Sequence, residues 1–176
     1  MQELVLPPLD YPKILWDNDV NVNEELKKRY VDSVLPGCCV KPSRAERTAE
    51  AQENYGSAAT ADVNCLQSLS RRVHFGKFVA ESKFLDHPET FVPLIKNSDR
   101  QGIDDAITNS KVEQKVLERL RTKAEMYGAD PNLNADAPRK IDVDAVVAMY
   151  KDHVIPLTKV VEVEYLMQRL KGTEWE

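Results

Sequence analysis

One segment constrains this chain more than any other: Ser57 to Phe84, SAATADVNCLQSLSRRVHFGKFVAESKF. Val63, Leu66, Leu69, Val73, Val79 and Ala80 recur along it at helical spacing, and no proline interrupts them. A periodic run of this length exceeds any ordinary strand. It predicts one long helix, with Ser57 as its N-cap, that must stop before Pro88. The remaining segments have to pack around it.

Those segments also read as helices. Leu26, Tyr30 and Val34 predict a short helix over 23–35, capped by Asn23 and ended by Pro36 and Gly37. Further helices are expected over 88–97 and 99–107. Ser110 and Glu113 have the Ser-x-x-Glu spacing of a capping box and open a helix that runs to Gly128. The last helix starts near Asp142, bends at Pro156 and continues to about Leu170. Residues 1–22, with Pro7, Pro8 and Pro12, read as an extended arm, and 38–53 and 129–139 as loops. The one period-2 stretch, VVEVEY, lies inside a longer helical repeat, and no internal repeat is visible. The expected fold is all-α: a single domain over 1–176, a helical bundle around one long central helix.

Charge and cysteines narrow the function. The net charge of -5 gives no overall attraction for nucleic acid or an anionic membrane, so an anionic ligand must be drawn by local basic groups. No stretch is long and apolar enough to span a bilayer, and the start, MQELVLPPLDYPKIL, lacks the basic and apolar regions of a signal peptide. Cys38, Cys39 and Cys65 are an odd set with no CxxC spacing, and the three histidines show no HExxH pattern. A reducing, cytoplasmic location and no metal are expected. P-loop, GxSxG and GxGxxG motifs are missing.

Chemistry is left to polar stripes on helices. Arg72, Gly76, Val79 and Lys83 fall within about 60° of one line, with the two cations roughly 16 Å apart along the axis. Cationic arms leaning over a low floor would leave room for a small diacid. Surface charges flanking a packing glycine explain the same pattern. Gly76 costs about 1 kcal/mol relative to alanine in a helix, which points to a close approach there. Thr158, Glu162, Tyr165 and Arg169 share another stripe. Thr158 is also placed to satisfy backbone near Pro156, and Glu113 to complete its capping box.

Taken together, NYGSAATADVNCLQSLSRRVHFGKFVAESKF, ITNSKVEQKVLERL and IPLTKVVEVEYLMQRL resemble three successive segments of the fungal and plant chorismate mutases. The resemblance covers about Leu6 to Leu170. It implies an isomerase that converts chorismate to prephenate by a Claisen rearrangement, without a cofactor or covalent intermediate. It also implies roles. Arg72 corresponds to the arginine that grips a substrate carboxylate, and Lys83 to the lysine that reaches the breaking ether oxygen. Glu162 corresponds to a carboxyl that is protonated to donate to that oxygen. Thr158 matches a hydroxyl near a carboxylate, and Asn109 and Glu113 match residues on the carboxylate and ring-hydroxyl side. Asn54, Gly56 and Ser57 match a loop that holds an amino-acid effector, tryptophan or tyrosine, at a homodimer interface. A position tied to switching in fungal members is Asp142 here.

The resemblance further implies a chain shortened at its N-terminus. The family's first two helices, including an arginine that completes the site, have no counterpart. Losing one such contact costs about 2–4 kcal/mol of transition-state binding, and losing a packing helix exposes an apolar groove. The alternative to an enzyme is a helical binding module derived from one.

Overall fold

The computed structural model describes residues 12–39, 55–127 and 142–175. All regular structure there is helical, as expected. In chain order the elements are α1 (Asn23–Arg29), a π-turn (Tyr30–Val34), α2 (Leu35–Cys38), α3 (Tyr55–His74), α4 (Gly76–Asp86), α5 (Pro88–Lys96), α6 (Arg100–Ile107), α7 (Ser110–Tyr127), α8 (Val143–Met149), a second π-turn (Tyr150–Val154) and α9 (Ile155–Gln168).

The anticipated long helix is present but divided. Phe75 separates α3 from α4, although its own N–H still donates to Arg71 O at 3.0 Å. Ser57 is not its N-cap, because the helix is already formed at Tyr55. The helix enclosed most fully is α9. Leu157, Val161, Val163, Tyr165 and Leu166 are all buried along it, and it packs against α3, α4, α5 and α6. A helix with buried residues on most of its faces belongs in the middle of a bundle.

α4 and α9 lie side by side and run the same way: Gly76 meets Thr158 and Glu162, and further along Glu81 meets Tyr165 and Arg169. Gly76 sets the closeness of this packing. A Cβ placed on it would stand 3.0 Å from Thr158 O and 3.2 Å from Glu162 Cγ. The partner that approaches this glycine is therefore another helix.

Several predicted ends move. Asn23 is the first residue of α1, not its cap; Asn21 Oδ1 accepts from Asn23 N–H. Pro36 and Gly37 lie inside α2 instead of ending the helix. The bend near Pro156 is a π-turn just before it. Proline cannot donate, and its ring crowds the carbonyl four residues back. A wider turn, with Ile155 N–H on Tyr150 O, opens that space. Leu35 N–H reaches Tyr30 O ahead of Pro36 in the same way.

The two stretches read YVDSVLP and YKDHVIP, and each follows a seven-residue helix. A short structural repeat is thus present where the sequence reading saw none. Residues 1–11 of the arm lie outside the described residues, and residues 12–22 lie against the bundle without regular structure: Trp16 N–H donates to Tyr165 Oη, Trp16 Nε1 to Lys171 O, and Lys77 Nζ to Val20 O.

Candidate functional site

A cleft of about 320 Å³ opens between α3, α4, α7 and α9, with the end of α6 at one side. Arg72, Lys83, Asn109, Glu113, Thr158 and Glu162 all line it. Six side chains picked from three separate segments thus converge on one space, over an apolar floor that includes Val79 and Ile155.

Each is placed by a local reason. Lys83 reaches across from α4, where its Nζ donates to Ile107 O at 2.6 Å and lies 3.3 Å from Glu162 Oε2. Ile107 ends α6, so the ammonium sits at the electronegative end of a helix. Glu162 is buried on α9. Desolvation pushes its carboxyl above the ordinary carboxylate range, and Lys83, Arg72 and Lys159 pull it only partly back. Thr158 Oγ1 donates to Val154 O at 2.7 Å, the backbone role foreseen beside Pro156.

Asn109, not Ser110, caps α7. Its Oδ1 accepts from Val112 N–H at 3.2 Å, and Ser110 is the first helical residue. The expected capping box therefore does not set Glu113. Its carboxylate instead pairs with Lys159 Nζ at 2.9 Å across the cleft.

Lys159 is the functional candidate that the sequence reading missed. Its only signal was its position next to Thr158 and three residues before Glu162, off the stripe that those two share. Conversely, Tyr165 and Arg169 share that stripe but lie further along the axis and meet Glu81 instead of the cleft. Gly56 and Ser57 stand at the exposed start of α3, away from the cleft. Gly56 has nothing within 4 Å of the position a Cβ would take. Asn54 lies outside the described residues. Asp142 caps α8 by accepting from Asp144 and Ala145 N–H. Among the described residues, no group of His, Cys, Asp and Glu could hold a metal ion, and no helix is long and apolar enough to cross a membrane.

The site joins three cations and a buried carboxyl around an apolar floor, in a volume suited to one small anion. Fold and cleft together define an all-helical protein with a polar, cation-bearing cleft between its helices. The chorismate mutase type II profile matches residues 54–163. The chorismate mutase of Emericella nidulans is 65% identical over 176 residues, which is 100% of this chain and 66% of that protein. That of Trichoderma parareesei is 59% identical, covering 97% of this chain and 64% of its own length. The crystal structure of the Candida albicans chorismate mutase in complex with L-Trp superposes with a TM-score of 0.84 at 46% identity, over 97% of this chain and 62% of that one. The chain belongs to the chorismate mutase type II family, and it spans about two thirds of the length of these curated relatives.

Proposed function

We propose that this chain carries a chorismate mutase site and rearranges chorismate to prephenate. The observation that carries the reading is the convergence of Arg72, Lys83, Asn109, Glu113, Thr158 and Glu162 on one cleft. The rearrangement makes and breaks bonds within one molecule. It needs a flexible dianion held in a folded conformer, and donors aimed at the charge that develops on the ether oxygen.

Arg72 takes one carboxylate, for which a planar fork of donors is suited. Thr158, with Asn109, serves the carboxylate side. Its hydroxyl, now donating to Val154 O, turns toward the ligand when bound. Asn109 has committed its carbonyl oxygen to the cap of α7, so its amide NH₂ is the group it offers. Glu113, steadied by Lys159, accepts from the ring hydroxyl. Lys83 and Glu162 converge on the ether oxygen. Their 3.3 Å separation leaves both within reach of a shared acceptor, and Glu162 donates there only when protonated. Burial favours that form.

The same reading places the protein in the cytoplasm, consistent with three unpaired, exposed cysteines. It proposes a single domain that pairs with a second copy and answers to tryptophan or tyrosine through Asn54, Gly56 and Ser57. The relative solved with L-Trp supports such an effector. The test is loss of chorismate absorbance with the purified chain, beside a form carrying a relative's N-terminal segment. Turnover by either supports the reading. Absence of turnover from both, when both are folded, overturns it.

A further inference from the structure

Behind the cleft, on the far side of α4, lies a second charged cluster that the mechanism above does not use. Glu81 Oε2 accepts from Arg169 Nε at 2.7 Å and from Tyr165 Oη at 2.5 Å, and Glu81 Oε1 accepts from Arg169 Nη2 at 3.0 Å. All three side chains are buried. The guanidinium lies 4.7 Å from the Trp16 ring centroid and 4.5 Å from that of Phe84. A buried ion pair is weak evidence of stabilisation, because well-packed apolar residues often do as well. What an apolar contact cannot supply is direction. A bidentate fork fixes both the rotation and the axial position of its partner.

The cluster joins α4 to α9, the two helices that carry Lys83 and Glu162. Glu81 is two residues before Lys83, on nearly the opposite face of α4. Arg169 lies on the same stripe as Glu162, about two turns further on, at the C-cap of α9. At its other end the helix pair is fixed by the close approach at Gly76. A slip of one residue along α9 would displace Glu162 by about 1.5 Å, enough to part it from Lys83.

We propose that Glu81, Tyr165 and Arg169 are positioning residues, whose clamp sets the axial register of α4 against α9 and so brings Lys83 and Glu162 together. The inference rests on the functional reading above for its kinetic consequence, but not for its geometric one.

The deciding experiment is the double variant Glu81→Leu/Arg169→Met, which replaces the clamp by apolar side chains of similar bulk. The expected result is a folded protein with a cooperative melt, a kcat at least about 30-fold lower and a KM within about threefold of the parent. Its crystal structure would show Lys83 and Glu162 out of hydrogen-bond range. A parent-like kcat and an unchanged Lys83–Glu162 separation would overturn the proposal. If the parent chain does not turn over chorismate, the functional reading is at fault and the crystallographic arm decides alone. If the double variant does not fold, Glu81→Gln decides by the same two readouts. It keeps the side chain's shape but loses the charge that holds the fork, and its expected kcat loss is about tenfold.

Discussion

The α4–α9 contact holds two ion pairs of opposite build. In the clamp, the carboxylate stands on α4 and the cation at the C-cap of α9, and their side chains are 6% and 7% exposed. In the cleft, the cation stands on α4 and the carboxylate on α9, at 34% and 9% exposure. Both Glu81 oxygens are engaged by donors, and the Trp16 and Phe84 rings lie against the Arg169 guanidinium. Lys83 and Glu162 meet at 3.3 Å beside a space large enough for a ligand. One pair spends its directional bonding inside the protein; the other faces an open cleft. The lesson is that the pair open to the cleft is the better candidate for chemistry, because the clamp is enclosed and both oxygens of its carboxylate are already bonded.

Substitutions should divide along this line. Lys83→Ala should lower turnover by about 10³-fold while circular dichroism and the melting curve stay as in the parent. A changed melt with preserved turnover would reverse the assignment of the two pairs. Arg169→Ala should lower stability as well as turnover, costing about 3–5 kcal/mol in urea unfolding by leaving Glu81 buried without its cation. Gly76→Ala puts a methyl against Thr158 and Glu162, and a loss of about 1–3 kcal/mol is expected in the same assay.

Glu162→Gln sharpens the comparison through pH. The carboxyl is raised by burial, so its active, protonated form is lost as pH rises through that raised value. Turnover of the parent should fall on that limb. The Gln variant should show a flat limb, and a parent-like fall would remove the protonated-carboxyl role. The smallest effect belongs to Glu113→Gln. Its pair with Lys159 is about one third exposed on each side, so stability should change by less than about 1 kcal/mol. The consequence should appear in KM.

Legibility in the sequence followed the same division. Helices bounded by strong punctuation were readable: Pro88 opens α5, Asp99 caps α6 through Gly102 N–H, and Asp142 caps α8. The cleft residues were legible because they lie in three segments that each resemble the family. The clamp was not. Glu81 sits in the middle of α4 and looks like any solvated acid until a partner 88 positions away is brought to it. The π-turns were also hidden, since a proline announces a disturbance but not its form. Asn109 took the cap from Ser110 because both are good caps one residue apart, and only the packed structure chooses.

The second π-turn has one more consequence. A wide turn holds one residue more than an α-helical turn of the same height, so it acts as a phase shifter of about 100° between α8 and α9. Every residue of the cleft on α9, from Ile155 to Glu162, lies downstream of that shift. The direction in which Thr158, Lys159 and Glu162 point is therefore indexed by a surplus residue among Tyr150–Val154, none of which lines the cleft.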